Sequence, residues 1–202
     1  MVISVVAING SPHKKGITSS LLTKFLSAAE KSGAKTALIH LADHQINPCN
    51  GCYSCSAESC KFPCVQKDGM QEIYPLLEQA DVIVFGTPVY WFNMSGLMKN
   101  FMDRLCCLAA HGYILEGKVG LFIAASKENE GGRMNASLSM ASAMNHLGLF
   151  IPPYGIMFYP GKEKVVKKGK VIWDDWVMQD LPKIAKNLVP LCKFLRKSKF
   201  EW

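Results

Sequence analysis

The sequence predicts an α/β protein in which a parallel sheet is covered by helices on both faces. Three observations carry that expectation. Short apolar runs recur at Val2 to Ile8, Lys35 to Leu41, Asp81 to Gly86, Lys118 to Ala125 and Ile151 to Tyr159. Segments with apolar residues at helical spacing lie between them. At 202 residues and 49% hydrophobic content, the chain suits one domain over residues 1–202 with a single substantial core.

Val2 to Ile8 is mostly β-branched and suits a strand buried on both faces. A polar turn with Gly10, Pro12 and Gly16 follows, then a helix with Leu21, Leu22, Phe25, Leu26 and Ala29 on one face. A strand, turn and helix N-terminus in that order make an anion site, because free N–H groups and the positive end of the helix dipole point at the turn. Ser11, Thr18, Ser19 and Ser20 add hydroxyls where a phosphate would sit. Five residues separate Gly10 from Gly16 and no Lys-Ser or Lys-Thr follows, which excludes a Walker A loop. The G-x-G-x-x-G dinucleotide fingerprint is absent too. A hydroxyl-lined turn after a first strand is what FMN-binding flavodoxin-like folds use.

Gly33 suits the end of the first helix, before the second strand. Asp43 to Lys67 is irregular and rich in cysteine, and Asp68 with Gln71 reads as a capping box. Met70, Ile73, Tyr74, Leu77 and Ala80 form the buried face of the helix it opens. A third helix is expected from about Ser95 to Leu108, and a helix of small residues from Met134 to Leu147. That small-residue helix suits close packing, on a second copy or on the sheet. Pro152 and Pro153 interrupt the last strand. A final helix spans about Asp174 to Lys197, with Pro182 and Pro190 limiting its regular turns.

The five strands are expected in the flavodoxin-like order 2-1-3-4-5, which sets the first and third side by side at the switch point. The turn Ser11 to Ser20 and the loop Pro88 to Asn93 then face one crevice. Pro88-Val89-Tyr90-Trp91 joins a stiff backbone to two large aromatics, a combination suited to the edge of a planar ring. The polar loop from Ser126 to Gly132 suits the ring's pyrimidine side.

The net charge of +7 sits largely in Lys162 to Lys170 and Lys193 to Lys199, read as solvated faces, with a phosphorylated cofactor or acidic partner a lesser attraction. Basic and aromatic residues do not interleave as a nucleic-acid surface would require. No apolar stretch reaches the length of a membrane span. The N-terminal run lacks a basic n-region and stops at Gly-Ser-Pro, so a cytoplasmic location is expected.

Five of the eight cysteines fall between residues 49 and 64. Cys49, Cys52 and Cys55 form C-x2-C-x2-C, a spacing that lets three thiolates converge on one cubane cluster, with Cys60 or Cys64 as fourth ligand. Zinc more often takes two separated C-x-x-C pairs, and cytosolic disulfides are not expected. Cys106, Cys107 and Cys192 fall on predicted helices and read as core thiols.

Together, Gly10-Ser11-Pro12, Thr18-Ser19-Ser20, Pro88 to Trp91 with Asn93, and Lys99 with Asp103-Arg104 resemble the NADPH-dependent FMN reductase superfamily. The resemblance runs from about Val2 to Gly132 and more loosely through the last helix. It implies that Ser11, His13, Thr18 and Ser19 hold the FMN phosphate, and that Pro88, Val89, Tyr90, Trp91 and Asn93 contact the isoalloxazine. His13 and Ile17 stand where many relatives carry Arg and Asn; Lys14 or Lys15 offers a replacement charge. The cysteine segment resembles that of the iron–sulfur flavoproteins, whose last cysteine precedes a D-x-M helix start as Cys64 precedes Asp68-Gly69-Met70. This implies a [4Fe–4S] cluster on Cys49, Cys52, Cys55 and Cys64, with Cys60 in a small insertion.

The expected function is therefore an FMN-dependent oxidoreductase coupled to a cluster. The partners implied are a ferredoxin-like protein or a small oxidant, in a homodimer or homotetramer, with no catalytic side-chain acid or base. A cluster-free NAD(P)H-dependent reductase of flavin, quinone or nitro compounds is the first alternative. A non-enzymatic metal or redox-sensing module is the second.

Overall fold

Strand β1 (Ser4–Asn9) lies between β2 (Lys35–His40) and β3 (Val82–Tyr90), parallel to both, with Val6 opposite Ala37 on one side and Ile83 on the other. These relations come from a computed structural model, which describes residues 2–126, 132–159, 161, 163–167, 170–174 and 176–198. Beyond β3 come β5 (Val119–Ala125) and β6 (Ile156–Tyr159), both parallel, so the sheet reads β2-β1-β3-β5-β6. Counted over parallel strands, this is the expected 2-1-3-4-5 order. An additional two-residue strand, β4 (Asn93–Met94), folds back antiparallel on the end of β3. Past β6, β7 (Glu163–Lys167) and β8 (Lys170–Asp174) form a separate antiparallel pair, which begins in the Lys162 to Lys170 stretch expected to be a solvated basic face and runs on past it. Lys162, Lys168 and Lys199, from the two basic segments, lie outside the described residues.

The uninterrupted apolar strands follow from burial on both faces. Along β3, Val82 and Val84 enter one core while Ile83 and Phe85 enter the other. In β5, Leu121 and Ile123 alternate with Phe122 and Ala124 in the same way. One core lies beneath α1 (Ile17–Lys31) and α6 (Trp176–Lys197). The other holds α2 (Met70–Gln79), α3 (Gly96–Asp103), α4 (Cys106–Ala110) and α5 (Gly132–His146). Gly86 is required by close approach, since a Cβ there would meet Leu22 Cδ1 at 2.7 Å. Among the described residues, no helix is long and apolar enough to cross a membrane.

Two elements depart from expectation, and a third takes one of its two expected placements. The expected helix from Ser95 to Leu108 is two, broken at Arg104, whose carbonyl accepts hydrogen bonds from Tyr74 Oη at 2.9 Å and Cys107 Sγ at 3.4 Å. Helix α6 runs through both prolines, because its Val177, Leu181, Ala185, Leu188, Val189 and Cys192 are buried whether or not each turn keeps its backbone bond. Helix α5 turns Ala136, Ser137, Met140, Ala141 and Met144 inward and packs on the sheet.

Candidate functional site

The two distinctive loops meet at the carboxyl ends of β1 and β3. Gly10 N donates to Gly86 O at 2.8 Å, and Ser95 Oγ donates to Gly10 O at 2.6 Å. Ser95 also caps α3 by accepting from Met98 N at 3.1 Å, while its own N–H donates to Thr87 Oγ1 at 3.0 Å. One buried hydroxyl thus ties the first turn to the second. Gly10 admits this approach, for a Cβ would lie 2.8 Å from Met98 Cβ.

On the first wall, buried Asn9 accepts from Ser11 N through Oδ1 at 2.9 Å and pairs its Nδ2 with His40 Nδ1 at 2.9 Å. Ser11 Oγ then accepts from His13 N at 3.1 Å, and Gly16 N closes the turn on His13 O at 3.1 Å. Ser11, Thr18 and Ser19 are buried, and His13 is exposed. Helix α1 begins at Gly16 with no side-chain cap and no acid in its first turn. Its first N–H groups and the dipole are therefore free for an anion. Lys14 is paired with Asp43, whose carboxyl it holds below the ordinary range by hydrogen bond and charge.

The second wall differs from the expected loop. Strand β3 continues to Tyr90, and a two-residue turn of Trp91 and Phe92 leads into β4. Both turn residues have positive φ, 46° and 64°. Such turns favour Asn and Gly, and each bulky L-residue there carries strain of about 1–2 kcal/mol. Trp91 is 93% exposed, with Tyr90 and Phe92 also exposed beside it. Asn93 Oδ1 accepts from Met94 N at 2.8 Å. Gly132 packs behind this hairpin, where a Cβ would meet Phe92 Cα at 2.6 Å. Ser126 N donates to Tyr159 O at 3.2 Å. Residues 127–131 of the loop expected at a ring's pyrimidine side lie outside the described residues.

The cysteine segment forms a second constellation. Cys49, Cys52, Cys60 and Cys64 line one cavity together with Cys106, Cys107 and Arg104. Cys55 is exposed and does not line it. Cys106, expected in the core, is half-buried and faces this cavity; Cys107 and Cys192 are buried as expected. Burial, with Cys106 and Cys107 nearby, pushes the Cys60 thiol up to about 12. Burial likewise raises Cys106 and Cys107. The cavity measures about 20 Å³, room for about one water. Among the described residues, no three Cys, His, Asp or Glu side chains converge closely enough to hold a metal ion.

The ends of the segment are joined by a buried ion pair. Arg104 Nη1 donates to Asp68 Oδ2 at 2.5 Å and to Asn47 O at 2.9 Å, and Nη2 reaches Asp68 Oδ1 at 3.2 Å. Burial alone would raise the Asp68 carboxyl, but the Arg104 hydrogen bond and the N–H groups of Asn47 and Met70 outweigh it and hold it low. The expected capping box is therefore only half formed. Asp68 Oδ1 accepts from Met70 N at 3.1 Å, while Gln71 Nε2 turns to Cys64 O and Gln66 O at 2.9 and 2.8 Å. Sequence reasoning missed Asn9, Ser95 and the Asp68–Arg104 pair. Only Ser95, three residues before Met98, carried a local signal, that of an N-cap.

A parallel sheet in this order, with its two loops meeting at the switch point, defines a flavodoxin-like protein. The chain belongs to the NADPH-dependent FMN reductase family, which residues 3–161 match. Its relatives include an iron–sulfur flavoprotein of Archaeoglobus fulgidus, 38% identical over 118 residues, covering 58% of this chain and 52% of the relative. An iron–sulfur flavoprotein of Methanosarcina thermophila is 25% identical over 202 residues, covering 98% of this chain and 99% of the relative. The chain spans about half to two thirds of the length of the first curated relatives it matches. Among solved structures, RosB with bound 8-demethyl-8-formylriboflavin-5'-phosphate superposes with a TM-score of 0.73 at 15% identity, covering 98% of this chain and 82% of that one.

Proposed function

We propose that this chain is an FMN-dependent oxidoreductase of the electron-transfer type, with an iron–sulfur cluster held by its cysteine segment. The observation that carries the flavin reading is the Ser95 Oγ to Gly10 O bond, which holds the two loops at one crevice. Ser11, Thr18, Ser19 and the uncapped start of α1 suit the FMN phosphate, with His13 beside them. Pro88, Val89, Tyr90, Trp91 and Asn93 suit the ring, and the exposed Trp91 shields it from water. Ser126 and Gly132, at the two ends of the polar loop after β5, suit the ring's pyrimidine side, with Gly132 packed against the Trp91–Phe92 hairpin. The flavin, when bound, accepts a hydride and passes electrons singly, so the protein's part is to hold, orient and tune it.

Thiol chemistry suits iron and sulfide. The ligands we assign are Cys49, Cys52, Cys55 and Cys64, with Cys60 the alternative to Cys64; Cys49, Cys52, Cys60 and Cys64 line the cavity and Cys55 would have to turn toward it. A group larger than a water requires the segment to open, because the cavity is about 20 Å³. That small cavity favours a second reading, a cluster-free NAD(P)H-dependent reductase of flavin, quinone or nitro compounds. The partners we assign are a ferredoxin-like protein or small acceptor in the first case, and a nicotinamide donor in the second. In both, the working unit is a homo-oligomer.

An absorption spectrum with flavin and iron assays on protein purified without oxygen tests these readings. One flavin with about four irons per chain supports the cluster, and separate replacement of Cys55, Cys60 and Cys64 then identifies its ligands. Flavin without iron leaves the simple reductase. Neither chromophore sinks both.

A further inference from the structure

Arg104 is the largest fully buried side chain in the protein's described core, and its setting is only partly explained by Asp68. Nη1 and Nη2 are committed to Asp68 and to Asn47 O. Asp68 Oδ2 also accepts from Asn47 N at 2.9 Å. Asn47 and Asp68 flank the five clustered cysteines, so one guanidinium joins both ends of that segment. The third nitrogen, Nε, is buried and makes no hydrogen bond among the described residues, although the Cys64 thiol lies beside the guanidinium. A buried N–H of a cation left without an acceptor is costly, and native structures rarely keep one without a reason. Arg104 also lines the cavity walled by Cys49, Cys52, Cys60 and Cys64. A thiolate or sulfide there would be the anionic acceptor that Nε lacks. A purely structural ion pair accounts for the two terminal nitrogens and the joined chain ends. It does not account for the orphaned Nε or for a cation on the wall of a thiol cavity.

We infer that Arg104 is a positioning residue of the metal centre, donating from Nε to a sulfur ligand in the cysteine cavity and favouring the reduced state of the centre; this rests on the iron–sulfur reading above. Hydrogen bonds to the sulfurs and local net charge both set the potential of such a centre. A buried cation stabilises the more negative, reduced form and so raises the potential. Asp68, on the far side of the guanidinium, offsets part of that charge. The two residues therefore act on the centre with opposite signs, although they act on the fold together.

The test is a redox titration of anaerobically purified wild type, Arg104→Gln, Arg104→Lys and Asp68→Asn, with iron and flavin counted in each. Arg104→Gln is expected to shift the reduction equilibrium of the centre at least tenfold toward the oxidised form, which is 59 mV for one electron. Arg104→Lys, which keeps charge but lacks Nε, shifts it the same way by less. Asp68→Asn shifts it toward the reduced form. A merely structural pair would lower iron content in all three and leave the potentials unmoved or moved alike. That outcome overturns the role of Arg104 while leaving the cluster in place. Wild type that holds flavin but no iron overturns the cluster reading and this assignment with it. Should Arg104→Gln fail to fold, Arg104→Lys and Asp68→Asn decide by the sign of their shifts, and shifts of the same sign overturn it.

Discussion

At the scale of single residues, strain and buried charge are the informative features. Trp91 and Phe92 occupy a turn whose positive φ values suit neither side chain, yet Trp91 is almost wholly in water. Strain of this kind persists where a site uses it. Trp91→Asn is expected to stabilise the flavin-free protein by about 1 kcal/mol in urea unfolding. The same change is expected to weaken FMN about fivefold in a fluorescence titration, a loss of about 1 kcal/mol of aromatic contact. Gain in stability with unchanged flavin affinity would remove Trp91 from the site. Asp68 gives a pH dependence. Its carboxyl is held below the ordinary value of 3.8 in the folded protein, so its contribution is present above that pH and is lost as pH falls through the lowered value. The acid limb of unfolding, followed by circular dichroism, is expected to be shallower in Asp68→Asn. That variant also loses about 3–5 kcal/mol at neutral pH, because Arg104 is left buried and unpaired.

At the scale of elements, α3 organises the crevice through its cap. Ser95 serves Met98 N, Gly10 O and Thr87 Oγ1 at once. Ser95→Ala is expected to cost about 2–3 kcal/mol, the sum of a lost cap and an unsatisfied buried carbonyl, and to weaken flavin binding as the two loops separate. Urea unfolding with and without FMN checks both. The five parallel strands were legible in the sequence because burial leaves unbroken apolar runs such as Val82 to Phe85, and their order followed from the flavodoxin-like pattern; β4, β7 and β8 were not. Helix α1 was legible from its Leu21, Leu22, Phe25, Leu26 and Ala29 spacing. The break at Arg104 was not, because the groups that engage this residue from outside its own helices, Tyr74 on its carbonyl and Asp68 on its guanidinium, lie 30 and 36 residues away. Nor was the hairpin at Tyr90 to Asn93, since Trp-Phe is a pair that local rules argue against in such a turn. The inward face of Cys106 was hidden for a similar reason: helical spacing cannot say that a cavity, and not the core, lies against it.

At the scale of the whole molecule, α6 closes one face of the sheet over α1. Arg196 holds Asp81 at the start of β3 through two contacts of 2.7 Å, a partly exposed pair that contributes little by itself. The larger share comes from Val177, Leu181, Leu188 and Val189, all buried. At about 1.5–3 kcal/mol each, they match the net stability of a typical domain, about 5–15 kcal/mol. A chain ending at residue 175 is therefore expected to lose cooperative unfolding and to expose apolar surface. Calorimetry on the truncated and intact chains checks this, and a sharp transition in the truncated one would refute it.

The joining of Asn47 to Asp68 through Arg104 has a consequence for sequence change over generations. It makes the stretch between them a closed loop whose ends are set independently of its length. Lengthening such a loop is thermodynamically mild, about 0.6 kcal/mol for each doubling. Insertions between Cys55 and Cys64 can therefore accumulate without disturbing the sheet, and the wide spacing of those two cysteines is a variation that this fold tolerates.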